Sequence, residues 1–314
     1  MLNFVYAVDK NYNIQVFTSI NSLLKNMDEK INVYVMHEEP ETFSEYAENL
    51  SESSMLENLK ILEINIDDKL PNLNNSHVSK ATYFRIFFDN YLPRDVEKTV
   101  YIDADIICTG NPIKYLDEVF KKLKKSEYLL AARTDLLKND NEIPSEIFNR
   151  LGLSSSRYFN AGLLVYSHKE WVEKNIYLNL RSELNKIYTK IKYWDQDVLN
   201  SYFDGNYIEI SSLINFPINP KSMHFLGKSF LQSISLVHFQ GNAKPWSIQG
   251  VFNTNSIIYQ NAVLDTIIGS YHIVPRNFFK DLLIIFVNIF RGKSKNIDTI
   301  ILIKSYFKFF NFSK

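Results

Sequence analysis

The sequence is poor in several features that would mark particular classes of protein. It has a single cysteine, Cys108, so no disulfide can form within the chain, and this fits a reducing compartment. Its 35 basic and 35 acidic residues balance, so the chain lacks the positive charge typical of nucleic-acid-binding proteins. No uncharged apolar run is long enough to span a bilayer, and no repeat or low-complexity segment stands out. The remaining composition, 46% apolar over 314 residues, is that of a globular protein with one large domain or two smaller ones.

The first nine residues lack the basic region and the small-residue cleavage site of a secretory signal peptide. Their apolar character predicts a first strand of the fold instead. Together with the single cysteine, this start predicts a cytoplasmic protein.

Strand-like apolar segments alternate with helix-like amphipathic segments over the first third of the chain. The predicted strands are residues 2–8, 31–36, 59–66 and a fourth that ends at Asp103, and the predicted helices are residues 11–25, 41–50 and 76–90. This alternation predicts an α/β fold, a Rossmann-like, mainly parallel sheet with helices on both faces. Ligands of such sheets bind beyond the carboxyl ends of the strands, where Asp9 and Asp103 are expected.

The middle of the chain continues this pattern less regularly. Further strands are predicted at residues 128–133, 159–166 and 235–238, and helices at residues 169–190 and from Asp195 onward. Residues 138–156 and much of 205–235 are predicted as loops.

Two aspartates one residue apart, Asp103 and Asp105, lie in the apolar run of residues 100–107. Side chains two apart on a strand share a face, so both carboxylates are expected to point the same way. Two such negative groups are unfavourable together unless a cation lies between them. Mg²⁺ and Mn²⁺ prefer oxygen ligands and often bridge to phosphates, so the pair predicts a metal-dependent diphosphate site. The alternative is an ordinary solvated strand end.

Six separated motifs occur in an order that resembles bacterial glycosyltransferase family 8, the retaining hexosyltransferases that include lipooligosaccharide galactosyltransferases and glucosyltransferases. They are residues 7–12, 79–85, 101–105, 158–162, 195–197 and 238–246. The resemblance covers residues 1 to about 250 and implies a fold of the GT-A type.

The resemblance implies that Asp103, Asp105 and His238 hold Mn²⁺, or Mg²⁺, which in turn binds the diphosphate of UDP. Two carboxylates and one imidazole suit Mn²⁺ and leave positions open for phosphate oxygens. The alternative for His238 is a buried core histidine, since it ends an apolar strand.

The resemblance also implies a donor-binding pocket. Its implied members are Ala7, Asp9 and Asn11 for uridine and ribose, Ala104 beside the metal site, Gly241 and Lys244 for the diphosphate, and Arg85, Asp135, Asn160, Ala161, Asp195 and Gln196 for the sugar. Carboxylates, amides and arginine are suitable partners for sugar hydroxyls. Simpler alternatives are a helix cap for Asp9, an ordinary ion pair for Arg85, a helix start for Asp195 and an exposed turn for Lys244.

The implied reaction is transfer of glucose or galactose from a UDP-sugar to a hydroxyl of a glycan or glycolipid, in polysaccharide or lipopolysaccharide synthesis. The implied catalytic residues are Asp195, Gln196 and Asp135. An amide is a poor nucleophile, so a front-face route is preferred to a covalent adduct on Gln196. The loops at residues 138–156 and 205–235 are expected to contact the acceptor.

Two other functions stay open. A pyrophosphorylase or another nucleotide-sugar enzyme typically carries a glycine-rich loop after the first strand, whereas residues 9–13 hold no glycine. A non-catalytic module would bind nucleotide sugar or membrane without turnover.

The segment 271–314 differs in character from the catalytic domain predicted at residues 1–270. It carries eight basic residues against two acidic ones, interleaved with ten aromatic residues. Such a composition suits the surface of an anionic membrane, so we expect peripheral attachment to the inner face. The alternative is that residues 282–290 and 300–303 form core helices of a small subdomain.

Overall fold

The computed structural model of the chain describes residues 1–66, 70–71, 80–138, 146–218, 226–293 and 296–312. The chain divides into two compact units. The first comprises residues 1–16, 27–104 and 112–212, and the second comprises residues 17–26, 105–111 and 213–314.

The described residues form strands and helices throughout both units. The strands are β1 (Asn3–Val8), β2 (Ile31–His37), β3 (Leu56–Glu63), β4 (Lys98–Ile102), β5 (Ile106–Cys108), β6 (Leu130–Leu137), β7 (Arg157–Ser167), β8 (Ile208–Glu209), β9 (Phe216–Ile218) and β10 (Leu236–Phe239). The helices are α1 (Asn13–Asn26), α2 (Ser44–Leu50), α3 (Phe84–Phe87), α4 (Ile113–Lys124), α5 (Glu146–Leu151), α6 (His168–Glu173), α7 (Ile176–Lys186), α8 (Trp194–Phe203), α9 (Lys228–Leu231), α10 (Ser256–Leu264), α11 (Phe278–Phe290) and α12 (Thr299–Phe312).

The first unit is built on a seven-stranded sheet in the order β3-β2-β1-β4-β7-β6-β8. Of its neighbouring pairs, only those of β7 with β4 and with β6 are antiparallel. Consecutive side chains of β1, such as Phe4 and Val5, are both fully buried, so both faces of the sheet are covered. The predicted α/β fold with a mainly parallel sheet is confirmed.

The order of the strands reverses at β1, which has β2 on one side and β4 on the other. A reversal of this kind opens a crevice beyond the carboxyl ends of the two strands, and ligands of α/β sheets bind there. Asp9 directly follows β1 and Asp103 directly follows β4. Both therefore lie at the edge that the sequence predicts for them.

The second unit contains a three-stranded sheet in which β10 pairs antiparallel with β5 and parallel with β9. Two serines of α1 attach β5 to that helix: Ser19 Oγ donates to the carbonyl of Ile106 at 2.6 Å, and Ser22 Oγ accepts from the amide of Cys108 at 2.9 Å.

Helices α11 and α12 share a hydrophobic core with residues 248–252. Its buried members from the C-terminal segment are Tyr271, Ile273, Ile285, Ile297, Leu302 and Tyr306. The inner sides of these helices thus have the packing that the core-helix alternative predicts. Several other large apolar side chains of the segment, among them Phe279, Leu283 and Phe290, are exposed. None of the helices in the described ranges is both long and apolar enough to cross a membrane.

Four local predictions need correction. The run of residues 100–107 is two strands in different sheets, β4 and β5, and Asp103 and Asp105 lie in the turn between them. Strand alternation therefore does not set the directions of the two carboxylates.

The predicted loop at residues 138–156 contains α5, whose apolar residues Ile147, Phe148 and Leu151 are buried. One and a half helical turns are too short to show a clear period. The predicted helix at residues 169–190 is broken at Asn175, which has a left-handed backbone with φ of 52°. Within the predicted helix at 76–90, α3 spans four residues between 3-10 turns. Residues 76–79, 139–145 and 219–225 lie outside the described part of the chain.

Candidate active site

Asp103 is held directly beyond β4 by contacts within the first unit. Its amide donates to the carbonyl of Gly162 at 2.8 Å. Its carboxylate accepts from Arg85 Nη2 at 2.7 Å and from the hydroxyl of Tyr101 at 3.0 Å. The side chain is a quarter exposed, so it remains accessible to a ligand.

Arg85 is the centre of this cluster, although α3 itself is only one turn long. Its side chain is 7% exposed, and its Nε lies 2.9 Å from Asp195 Oδ2. Its Nη1 donates to the carbonyl of Ala161 at 2.6 Å. Burial disfavours the charged form, but Asp103 and Asp195 outweigh this, so the pKa of Arg85 is raised above its ordinary value. Arg85 does form ion pairs, as the simpler alternative predicts, and both of the carboxylates that pair with it belong to predicted site residues.

Asp195 and Gln196 project from the first turn of α8. Thr82 Oγ1 donates to Asp195 Oδ1 at 3.0 Å. Burial raises the pKa of Asp195 to about 6, although the charge of Arg85 opposes this shift. Gln196 Oε1 accepts from the amide of Ala161 at 3.0 Å.

The side chain of Asn160 completes this arrangement on β7. Its Oδ1 accepts from the amide of Gly162 at 3.0 Å, and its Nδ2 lies 3.5 Å from Gln196 Oε1. The structure thus brings together Arg85 and Asp103 with the predicted residues of β7 and α8.

Asp135 is not joined to this cluster by the contacts of the described residues. It lies on β6, two residues beyond Arg133, which is paired in register with Asn160 of β7. Its carboxylate accepts from Arg133 Nη2 at 2.7 Å and is about a quarter exposed.

The three residues predicted to hold uridine surround the end of β1. Asp9 is buried and caps a short 3-10 helix, since its Oδ1 accepts from the amide of Asn11 at 2.9 Å. Ala7 is half-buried on the strand, and the side chain of Asn11 is exposed. The alternative assignment of Asp9 as a cap is therefore correct, and one N–H bond leaves its carboxylate further acceptor capacity.

In the second unit, Asp105 follows the buried Ala104 and is itself buried between two basic side chains. Lys244 Nζ donates to Asp105 Oδ2, and His238 Nε2 lies 3.3 Å from Asp105 Oδ1. Burial alone would raise the pKa of Asp105, but the charge of Lys244, together with that of His238 when its ring is protonated, outweighs burial and holds the pKa well below its usual range.

The tautomer of His238 follows from its other ring nitrogen. Nδ1 lies 2.9 Å from Asn215 Oδ1, which can only accept, so Nδ1 carries a proton, and in the neutral ring Nε2 presents its lone pair. Asp105 Oδ1, which faces this lone pair, is buried and has no hydrogen-bond donor among the described residues. An unpartnered carboxylate oxygen beside an imidazole lone pair suits a divalent cation, and a histidine fixed through its second nitrogen is typical of metal ligands.

Asp105 and His238 lie beside each other in the second unit as potential metal ligands, and Asp103 precedes Asp105 by two residues along the chain. The boundary between the two units falls within the motif, between Ala104 and Asp105. Asp103 and Asp105 are separated by one residue, so the chain itself limits the distance between their Cα atoms to about 7 Å.

The segment of residues 241–246 is shaped by two glycines. Gly241 has φ of 77°, a conformation that favours glycine. Lys244 Nζ also donates to the carbonyl of Phe239 at 2.8 Å, so the lysine is anchored and is not an exposed turn residue.

Gly250 was not among the predicted site residues. A Cβ on Gly250 would lie 2.0 Å from the carbonyl oxygen of Lys244, so this glycine lets the lysine-bearing segment pack closely. A lone glycine carries no sequence signal of such a contact.

Comparison with known proteins decides the family. The family model described as glycosyl transferase family 8 matches residues 3–250. The chain belongs to glycosyltransferase family 8. The family 8 resemblance seen in the motifs is thereby confirmed, and the chain is a glycosyltransferase.

Several curated relatives act in lipopolysaccharide synthesis by their names. A lipopolysaccharide 1,2-glucosyltransferase of Escherichia coli K12 is 28% identical over 256 residues, which cover 78% of this chain and 72% of that protein. A lipopolysaccharide 1,3-galactosyltransferase of Salmonella typhimurium is 24% identical, with 82% and 77% of the two chains covered.

Among solved structures, this family 8 chain is similar to the galactosyltransferase LgtC in complex with donor and acceptor sugar analogs. The TM-score is 0.68 at 23% identity, and the match covers 89% of this chain and 99% of LgtC. This similarity shows that the two chains share the GT-A fold.

Proposed function

We propose that this family 8 chain transfers a hexose, glucose or galactose, from a UDP-sugar to a hydroxyl of a glycan or glycolipid with retained configuration. The observation that carries the proposal is the buried Asp105 Oδ1, which has no hydrogen-bond donor within the part of the chain that the structure describes and lies 3.3 Å from Nε2 of His238. This oxygen supports a metal cation beside Lys244. A nucleotide diphosphate carries negative charge that both a metal ion and a lysine ammonium group can neutralise.

In this proposal Asp103, Asp105 and His238 hold Mn²⁺, or Mg²⁺ in its place. The bound ion would offset negative charge on the UDP leaving group. Gly241 and Lys244 would bind the diphosphate, the first because it permits close backbone approach and the second through its charge.

The nucleoside would bind at the end of β1. Ala7, Asp9 and Asn11 are proposed to contact uracil and ribose, with Ala104 beside the diphosphate. The Asp9 carboxylate already fixes the turn after β1 through the Asn11 amide. Its remaining lone pairs would accept from the uracil imide or a ribose hydroxyl.

The sugar would bind at the cluster of Arg85, Asp195 and the β7 residues Asn160 and Ala161, with Asp135 on the neighbouring strand. Because Gln196 is an amide, we favour a front-face route in which the leaving phosphate helps to deprotonate the acceptor hydroxyl. Asp195, with a pKa of about 6, would be mostly ionised at neutral pH and would stabilise positive charge on the sugar. Trapping a glycosyl adduct on Asp195 or Asp135 would contradict this route.

The acceptor is proposed to be lipid-linked, in surface polysaccharide or lipopolysaccharide synthesis on the cytoplasmic face of the membrane. The names of the relatives support this class of acceptor. The segment 271–314 would attach the enzyme to the membrane, in addition to its share in the core of the second unit. The loops at residues 138–156 and 205–235 would contact the acceptor.

The exposed side of α11 supports the attachment. Phe279, Leu283, Phe286 and Phe290 follow one another at spacings of four, three and four residues, so they share one face of the helix. Phe279 is 82% exposed and Phe290 is 89% exposed. An exposed apolar helix face in a segment with six net positive charges suits an anionic lipid surface.

The test is release of UDP from UDP-glucose and UDP-galactose in the presence of Mn²⁺. We expect turnover with one of these donors, and its loss when EDTA removes the ion. The variant Asp105→Asn should lose turnover together with the rise in melting temperature that Mn²⁺ and UDP cause. Asp117→Asn, in an exposed ion pair with Lys98, is the matched control and should behave like the wild type.

Donor binding without turnover for any UDP-sugar would instead favour a non-catalytic module. Turnover that EDTA leaves unchanged would contradict the metal site.

A further inference from the structure

Asp197 belongs to the same helical turn as Asp195 and Gln196, but all of its acceptor capacity is used inside the protein. Its carboxylate is fully buried. The donors to it are the amides of Lys192 at 2.7 Å and Tyr193 at 2.8 Å, Arg150 Nη1 at 2.8 Å and Nη2 at 3.4 Å, and the hydroxyl of Tyr158 at 2.9 Å. A carboxylate offers about four lone-pair positions, so none remains for a sugar hydroxyl or an anomeric carbon.

Helix α8 begins from a strained backbone. Trp194, its first residue, has φ of 45°, a left-handed conformation that is unfavourable for a bulky side chain. The preceding residue, Tyr193, provides no side-chain cap. Asp197 takes the place of a cap, because it binds the amides of Lys192 and Tyr193 and so ties the strained turn to the helix that follows.

The same carboxylate also ties α8 to two other elements of the first unit. Arg150 belongs to α5, and Tyr158 belongs to β7. Strand β7 also carries Ala161, whose amide binds Gln196 Oε1 at 3.0 Å. The start of α8 is therefore fixed against the strand that its second residue, Gln196, contacts.

We infer that Asp197 is a positioning residue for glycosyl transfer and takes no direct part in the chemistry. Held by Arg150, it sets the place of the first turn of α8. It thereby keeps Asp195 against Arg85 and Gln196 against Ala161. The inference rests on the proposed function, and it divides the Asp-Gln-Asp motif into two residues that face the sugar pocket and one that supports them.

The test compares Asp197→Asn with Asp204→Asn at the other end of α8. Asp204 is a fair control, because it also accepts from two backbone amides, those of Ser154 and Ser155 at 2.9 Å, and has left-handed φ. A displacement of about 1 Å in a reacting group costs on the order of 10²-fold in rate. We therefore expect kcat of Asp197→Asn to fall about 10²-fold, with KM for the donor and the affinity for UDP and Mn²⁺ within about threefold of wild type. Asp204→Asn should keep wild-type kcat.

A kcat of Asp197→Asn within threefold of wild type would overturn the inference. So would a loss of UDP and Mn²⁺ binding in proportion to kcat, because a general structural fault would produce that result.

If Asp197→Asn does not fold, Arg150→Lys keeps the charge but loses the second donor, and its kcat should fall with unchanged donor KM. Unchanged kcat in that variant overturns the inference. Absence of turnover in the wild type itself would count against the proposed function and is seen before any variant is made.

Discussion

The guanidinium of Arg85 donates to the carboxylate of Asp103 at 2.7 Å. The same guanidinium lies 2.9 Å from Asp195, in the first turn of α8. One buried arginine therefore connects a proposed metal ligand with a proposed sugar-binding residue. A change in the charge of either carboxylate therefore alters the electrostatic environment of the other through this shared cation.

The first prediction concerns this shared cation. Arg85→Lys keeps the positive charge but cannot reach both carboxylates and the carbonyl of Ala161 with a fixed fork of donors. We expect the variant to fold, and kcat/KM for the UDP-sugar to fall on the order of 10²-fold. Arg85 lies over the ring of Tyr101, and Arg157 lies in the same way over the ring of Tyr207 in the same unit, so Arg157→Lys is the control. Equal kcat/KM values for the two variants would contradict the role given to Arg85.

The sequence predicts much of this cluster, but not how its members are connected. Asp103 is recognisable because it ends a predicted strand two residues before Asp105, and Asp195 because its local motif resembles that of family 8. The pairing of Arg85 with both depends on how α3, β4 and α8 pack, and contacts between residues so far apart in sequence leave no periodic signal. Arg85 could thus be predicted as a site residue but not as the cation between two carboxylates.

The same limit explains the differences in the fold. The break between β4 and β5 falls inside a continuous apolar run, and it arises because the two halves pair with different sheets. Long elements such as β1 and α1 are predicted within about two residues, since each shows a clear period over its whole length. Helix α5 has only six residues, which are too few to show a clear period.

The second prediction concerns stability at acid pH. Burial lowers the pKa of His272 to about 3, and its Nδ1 is paired with the hydroxyl of Tyr259 at 2.7 Å. Below about pH 6.5 the unfolded chain binds a proton at this histidine that the folded chain does not bind until about pH 3. The free energy of unfolding is therefore highest, as far as this histidine is concerned, above about pH 6.5, and it decreases as the pH falls below that value.

Between pH 7.5 and 5.5, we expect the free energy of unfolding to drop by about 1 kcal/mol more in the wild type than in His272→Gln. Urea unfolding of both proteins at the two pH values measures this difference. Other groups, including Asp195 with its raised pKa, contribute equally to both proteins and cancel. An identical drop in both proteins would show that His272 is not buried in its neutral form.

The third prediction concerns the exposed face of α11. Replacing Phe279 and Phe290 by glutamate removes two apolar contacts with lipid and adds negative charge. Each phenylalanine contributes up to about 1.5–3 kcal/mol when it leaves water, so binding to anionic vesicles should fall about tenfold or more for each substitution. Flotation with vesicles that contain anionic lipid measures the loss, and donor hydrolysis in solution should be unchanged.

Leu178→Glu is the matched control for this surface. Leu178 is 57% exposed on α7 in the first unit, so its replacement tests whether any exposed apolar residue has the same effect. Substitution is preferable to removal of residues 271–314, because this segment supplies Tyr271, Leu302 and Tyr306 to a hydrophobic core. Equal vesicle binding by the wild type and the glutamate variants would refute membrane attachment through α11.

The fourth prediction concerns the close packing of Gly250 against the segment that carries Lys244. In Gly250→Ala the new methyl group would lie 2.0 Å from the carbonyl oxygen of Lys244, and backbone atoms must move to admit it. Overpacking of this kind costs about 1–3 kcal/mol. We expect a lower melting temperature and, because Lys244 moves relative to Asp105, a higher KM for the UDP-sugar. Gly227→Ala should change neither value, because a Cβ at Gly227 meets no atom of the described residues within 4 Å. A variant Gly250→Ala that loses stability but keeps the wild-type KM would show that the position of Lys244 does not govern binding of the diphosphate.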